Sequence, residues 1–274
     1  MKTLILITGC ELRHEFFRKF ISTDSEIKVV KSYCESSIKS IENVVSKDSN
    51  NQLRKSHLEA RSKSEKYYFE RYCAESVDLS NPKLIKKGEI NDPGIVAEII
   101  KSNPDYIVSY GCSIIKSELI EFFRDRFINI HLGLSPYYRG SGTNYWPFVF
   151  DELQFIGVTF MFINEGIDTG EIIHQIRAEI LECDSIHDIG NRLITAMSKE
   201  VILLIKSGIL VKSEDTYSVS STPRRYFSKK DFTEESLLRV SENFSKNIIG
   251  KYLSNRGVID AKYPIFENNS FKSI

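Results

Sequence analysis

Residues 127–136 read Phe127-Ile128-Asn129-Ile130-His131-Leu132-Gly133-Leu134-Ser135-Pro136. Phe127, Ile128, Ile130 and Leu132 spell a short buried strand, and alternate side chains of a strand share a face. Asn129 and His131 therefore project together. An amide and an imidazole at the end of an apolar strand each need a partner, because a buried polar group without one is costly. Gly133, Pro136, Gly140 and Gly142 then break regular structure and open a loop. In a parallel sheet, ligands bind in the crevice outside the carboxyl ends of the strands. The pair is the first candidate site.

The flanking sequence supports such a sheet. Leu4 to Ile7 is the continuous apolar run of a strand covered on both faces. It stops at Thr8-Gly9, and Leu12, Phe16, Phe17 and Phe20 follow at helical spacing. Ile27 to Tyr33 reads as the next strand, so the unit is a right-handed crossover between parallel strands. From Ser36 to Lys87 the chain is rich in Ser, Lys, Glu and Asn and reads as helical excursions at the surface. There the face bearing His57, Arg61 and Glu65 is expected to be solvated, with Tyr67, Tyr68, Phe69 and Tyr72 packing. Asp92 is expected to cap, and Pro93 to open, a helix running through Ile99 and Ile100. Pro104 to Tyr110 is a strand that stops at Gly111, and Ile114 to Phe123 is helical. Asn144 to Phe150 reads as a short helix. Gly157 to Ile163 and Glu171 to Ile180 lie close enough in sequence to pair antiparallel. Ile189, Leu193, Ile194, Met197, Val201 and Leu204 mark a long amphipathic helix. Beyond the polar region Ser213 to Arg225, one last helix is expected from Thr233 to Leu253. The fold class is thus α/β, with a doubly wound, mostly parallel sheet over residues 1–210 and a short helical carboxyl-terminal extension over 211–274.

In 274 residues, 37 Lys and Arg balance 37 Asp and Glu, so no global field favours nucleic acid or an anionic membrane. The five cysteines have no C-x-x-C pair, which fits a reducing compartment better than a disulfide framework or a zinc site. Met1 to Ile7 is too short to span a membrane, and no cleavage signal follows. A cytoplasmic protein with a small-molecule partner is expected. The last helix and the aromatic segments leave room for a homodimer.

Three further stretches lie at strand ends: the Gly-Leu-Ser-Pro-Tyr-Tyr-Arg-Gly loop (133 to 140), Ser109 to Ile115, and Asp168 in a glycine-bracketed turn. With them the chain resembles the formyltransferase family, which includes the glycinamide ribonucleotide, methionyl-tRNA and sugar-nucleotide N-formyltransferases. The resemblance rests on Asn129-x-His131, Leu134-x-Pro136, Arg139-Gly140 and the Gly-Ile-Asp-Thr-Gly turn at 166 to 170. It covers about Pro104 to Gln175, and the first strand loosely. It implies a Rossmann-like formyl-transfer domain that uses 10-formyltetrahydrofolate as donor, with Asn129, His131 and Asp168 catalytic. The family's pterin walls map onto Tyr110, Gly111, Cys112, Ser113, Ile114 and Ile115, and onto Asn164, Glu165, Gly166 and Ile167.

Chemically the set is apt. When an amine adds to a formyl carbon, the oxygen gains charge, and Asn129 with a protonated His131 can donate to it. Asp168 would fix the imidazole and take up the amine's proton, directly or through water. Gly-Leu-Ser-Pro departs from the family's usual Ser-Leu-Leu-Pro. Thr8 to His14 has one glycine and so lacks the phosphate cradle of the glycinamide enzymes, and no basic RNA-binding surface is evident. A nucleotide-linked amino sugar is the leading acceptor. Tyr137, Tyr138, Tyr145 and Trp146 are candidates to stack on it, Arg13 and Arg139 to meet its phosphate, and Gly140 is a further substrate-binding candidate. The alternatives are hydrolysis of the donor, against which the strand beginning at Thr3 counts, and a non-catalytic folate-binding protein. Asp184-x-x-His187-Asp188 reads as a helix cap, His174 as structural, Cys112 as a small filler, and Arg224-Arg225 with Lys229-Lys230 as a solvated cluster.

Overall fold

The computed structural model describes residues 1–36, 52–208 and 225–268. The readings for 37–51 and for the polar region at 213–224, Arg224 included, lie outside these residues. Strands β1 (Lys2–Gly9), β2 (Ile27–Ser36), β3 (Pro82–Lys86), β4 (Tyr106–Tyr110), β5 (Phe127–His131), β7 (Gly157–Phe162) and β8 (Ile172–Arg177) form one sheet. Its order is β3-β2-β1-β4-β5-β7-β8. The first five strands are mutually parallel, while β7 runs against both β5 and β8. The chain winds outward from β1 to β3, then returns to the other side of β1 with β4. The switch point therefore lies between the carboxyl ends of β1 and β4.

Alternation along β1 shows why both sheet faces are covered. Leu4 and Leu6 enter one core with Phe16 and Phe17 of α1 (Leu12–Ser22) and with Met197 and Val201 of α6 (Ile186–Ser207). Ile5 and Ile7 enter a second core, with Ile99 of α3 (Pro93–Ser102) and Leu119 of α4 (Ser117–Phe123). Ser185 begins α6 with a capping box closed by Asp188, as the cap reading requires.

Four local expectations change. The polar stretch after β2 contains a single long helix, α2 (Gln52–Glu75), whose Leu58, Phe69 and Cys73 are buried; Phe69 stacks on Phe16 of α1 with ring centroids 4.6 Å apart. Residues 82–86 form an edge strand with only Ile85 buried. Asp92 stands at the N-cap of α3 without a side-chain bond, while Pro93 occupies the first turn. The last helix is two, α7 (Glu234–Ser245) and α8 (Ile248–Lys262), divided at Asn247 in the left-handed region, where its side chain caps the Gly250 N–H. A small parallel pair of β6 (Tyr138–Gly140) and β9 (Arg225–Phe227) lies beside α5 (Trp146–Phe150).

Candidate active site

β5 delivers its two polar side chains to one cavity of about 630 Å³, a volume ordinary for a small-molecule site. Asn129 faces Ser109 in the register between β4 and β5. The Ser109 hydroxyl donates to Asn129 Oδ1 at 2.9 Å, which leaves the Asn129 NH2 to be offered elsewhere. His131 is 5% exposed. Its Nδ1 lies 3.2 Å from Asp168 Oδ1, and its Nε2 lies 2.9 Å from the Tyr138 carbonyl oxygen. A ring between two acceptors satisfies both only when each nitrogen carries a proton.

Asp168 sits in the turn after β7 with φ of 52°, a backbone that Asp tolerates better than most side chains. Its Oδ2 accepts the Gly140 N–H at 2.9 Å. Burial pushes the carboxyl up, but the His131 bond and charge, the Gly140 N–H and the Arg139 charge outweigh burial and hold it below its ordinary range. The three residues thus meet at the rim of the sheet. In one respect the arrangement differs from expectation. His131 Nε2 is already held, so its proton reaches a substrate oxygen only by being shared with the Tyr138 carbonyl. The Asn129 NH2 carries no such commitment among the described residues.

Of the residues expected to wall a pterin, Tyr110 to Ile115, Asn164, Gly166 and Ile167 line the cavity. Glu165 is exposed and outside the lining. Glu35, at the end of β2, braces this wall by accepting the Ser113 N–H at 2.6 Å and the Gly88 N–H at 2.9 Å. Burial and the Glu35 charge push the Cys112 thiol up to about 12, which suits a filler and not a nucleophile.

The substrate set divides. Arg13, Gly140 and Tyr145 line the cavity. Tyr137, Tyr138 and Trp146 do not: they are 3%, 1% and 3% exposed and belong to the main core. Tyr137 stacks on Phe155 and Trp146 on Phe227, while the Tyr138 hydroxyl donates to Glu152. Large rings gain more from burial than from lining a polar cleft. Arg139 lies outside the lining and acts through its charge on Asp168. The Arg13 guanidinium is committed within the chain, donating to Glu65 Oε1 at 2.9 Å. Arg225 is paired rather than solvated, 3.2 Å from Glu152, and Lys229 lines the cavity. His174 is buried, and its Nδ1 accepts the Asn268 N–H.

Sequence reasoning missed one wall. His57, Arg61 and Glu65 of α2 and His187 of α6 line the cavity instead of facing solvent. Their spacing was visible, but not the docking of α2 on α6, where Asn191 donates to Ser64 at 2.9 Å. At the switch point His14 fills the crevice between β1 and β4. A side chain on Gly111, whose φ is +68°, would place Cβ 2.5 Å from its Nε2. His14 Nδ1 lies 2.6 Å from Glu11. Burial pushes the Glu11 carboxyl up, but His14 and Arg13 hold it far below its ordinary range. A carboxylate thus occupies the place where a glycine-rich loop would cradle phosphate.

Burial holds His14, His57 and His187 down to about 4, helped by Arg13 for His14, by His187 and Arg61 for His57, and by Arg61 for His187. The unfolded chain therefore binds more protons than the folded one between about pH 4 and 6.5, so stability falls as pH falls through that window. Denaturant titrations at pH 7 and pH 5 should differ by roughly 1–2 kcal/mol per ring. Equal stability at both would mean the rings are not held neutral.

The fold is thus an open α/β sheet with a polar triad over the carboxyl end of β5, beside the switch point. The chain belongs to the formyl transferase family, whose profile matches residues 28–205. Methionyl-tRNA formyltransferase of Thermodesulfovibrio yellowstonii is 28% identical over 146 residues, 52% of this chain and 47% of that protein. The chain spans about half the length of the curated relatives it matches. A sugar N-formyltransferase from Shewanella sp FDAARGOS_354 superposes with a TM-score of 0.54 at 18% identity, covering 88% of either chain. An N-formyltransferase from Helicobacter canadensis, crystallised with folinic acid and dTDP-3-aminofucose, superposes with a TM-score of 0.50 at 19% identity, over 84% of this chain and 72% of that one. Both are likenesses of fold. Among the described residues, no helix is long and apolar enough to cross a membrane, and no group of three or more His, Cys, Asp or Glu is placed to hold a metal ion.

Proposed function

We propose that the protein transfers a formyl group from 10-formyltetrahydrofolate to the primary amine of a nucleotide-linked amino sugar. The observation that carries this reading is the convergence of Asn129, His131 and Asp168 on one cavity rim. The donor supplies the activated formyl group. The wall at 110–115 offers such a donor a polar contact, because Ser113 Oγ is buried there without a hydrogen-bond partner among the described residues, and such a group calls for a ligand or water. Asn129 donates to the oxygen that gains charge, and the imidazole beside it supplies further stabilisation while Asp168 fixes the ring. Asp168 is the nearest ionised carboxylate to take the amine's proton, directly or through water, as the new C–N bond forms, and to return it to the folate nitrogen as the bond from the formyl carbon to that nitrogen breaks.

An amino sugar is favoured by elimination and by room. Glu11 stands where a ribonucleotide phosphate would be cradled, and the cavity continues past the triad to a wall bearing Tyr145, His57, Arg61 and His187. Hydrolysis would need no such wall. The test is to incubate the protein with 10-formyltetrahydrofolate and follow tetrahydrofolate release. Release that depends on an added nucleotide-linked amino sugar supports the proposal. Release without any amine identifies a hydrolase, and folate binding without turnover for any amine defeats the transfer reading.

A further inference from the structure

We infer that His57, Arg61 and His187 form an anion subsite that holds a phosphate group of the acceptor, an inference that rests on the reading of a phosphate-bearing acceptor. The two imidazoles come from different helices and face each other with ring centroids 4.8 Å apart. The His57 ring also packs on Tyr145 and Phe232, at 5.8 Å and 5.6 Å. Arg61 is on the same face of α2 as His57, one turn on, and all three line the cavity. An anion seated between them would meet the Arg61 charge and two rings able to take up protons.

The protein's own acids fill that role only in part. Glu65 Oε1 accepts from both Arg13, at 2.9 Å, and Arg61 Nε, at 3.0 Å. One carboxylate therefore serves two guanidiniums, with Glu11 lying 3.7 Å from Arg13 on its other side. Arg61 commits only Nε, so its two terminal amino groups have no partner among the described residues. Asp188, beside His187, accepts the Ser185 N–H and hydroxyl at 3.0 Å and 2.6 Å through one oxygen. Its charge, that of Glu65 and a bond to the His57 backbone favour the protonated His187 ring but are outweighed by burial and Arg61. On the same helix Arg192 is paired with Asp184. Glu11 is held by His14. Arg54 of α2 lies over the Phe232 ring, 5.6 Å from its centroid. What remains is a partly buried cleft with one fixed guanidinium fork and two rings able to donate, the donor set that suits phosphate oxygens.

This arrangement has a signature of its own. Without a ligand, burial, with the Arg61 charge beside both rings and His187 beside His57, holds both down to about 4, so both are neutral at pH 7. A phosphate between them favours the protonated rings, so binding takes up protons and affinity rises as pH falls. A carboxylate, such as the glutamate tail of a folate, offers similar chemistry with less charge.

The experiment is titration calorimetry of the full chain with inorganic pyrophosphate, in two buffers of different ionisation enthalpy, at pH 6.5 and 8.5. Expected are tighter binding at pH 6.5, net proton uptake, and at least ~10-fold weaker binding for Arg61→Gln, the usual worth of a charge-assisted bond. His57→Gln and His187→Gln should each reduce the proton uptake. Arg61→Lys keeps the charge and serves if Arg61→Gln does not fold. Four results would overturn the inference: no pyrophosphate binding, binding indifferent to all these changes, binding lost instead in Lys87→Gln or Lys229→Gln, or glutarate binding as tightly with the same pH dependence. No formyl donor is present, so failure here leaves the transfer reading standing, and an inactive enzyme leaves this one standing.

Discussion

Asp168→Asn should lower turnover at least ~100-fold while leaving the folded protein nearly as stable. Two contacts and a backbone angle argue for this outcome. The carboxylate faces His131 Nδ1 at 3.2 Å and accepts the Gly140 N–H at 2.9 Å, and its backbone lies at φ 52°. Asn tolerates that φ almost as well as Asp and keeps an oxygen for one of the two donors, so the turn survives. What it cannot keep is the negative charge opposite the imidazole, or the capacity to accept a proton. Asp168→Ala adds backbone strain of about 1–2 kcal/mol and is the less clean variant. His131→Ala should fall as far, since it removes the ring and leaves Asp168 and the Tyr138 carbonyl facing a gap. Single-turnover rates with donor and acceptor both saturating, together with melting curves, decide the matter. Turnover near that of the parent in Asp168→Asn and His131→Ala would remove the mechanism.

The triad was legible because it breaks a rule. Asn129 and His131 are polar residues in an apolar strand, and strand periodicity alone puts them on one face. Asp168 was legible because a carboxylate between two glycines has little packing reason to be there. The rest of the cavity was harder to read, for two physical reasons. The polar face of α2 is written like any solvated face. Only its docking on α6 turns His57, Arg61 and Glu65 inward, and that contact joins residues as far apart as Ser64 and Asn191. The aromatic loop failed in the opposite direction: Tyr137, Tyr138 and Trp146 spell the same pattern whether they stack on a ligand or on Phe155 and Phe227. β3 left no apolar run because an edge strand needs only Ile85 inside.

Gly140→Ala should be the most damaging substitution outside the triad, because Gly140 joins the catalytic loop to the carboxyl-terminal segment. That segment enters as β9 and pairs with β6 in the register Tyr138↔Arg225, Arg139↔Tyr226, Gly140↔Phe227. The Ser141 N–H donates to the Phe227 carbonyl at 2.8 Å, and the Arg225 N–H to that of Tyr137 at 2.9 Å. Phe227 stacks on Trp146 with centroids 4.1 Å apart. Held this way, the loop presents its backbone to the site: the Tyr138 carbonyl to His131, the Gly140 N–H to Asp168. A Cβ on Gly140 would overlap the Phe227 carbonyl oxygen, and its φ of +94° is strained for any L side chain. The two effects together should cost about 2–4 kcal/mol, lowering the melting temperature by roughly 10 °C. Below that temperature turnover should still fall at least ~10-fold, because Asp168 loses its N–H partner or its position. Gly142→Ala separates the causes. Its φ is +68°, but the nearest atom to an added Cβ is Trp146 Nε1 at 3.6 Å, so it carries backbone strain without the overlap and leaves Asp168 untouched. Equal rates for the two variants at a temperature where both are folded would mean that β9 does not hold the catalytic loop.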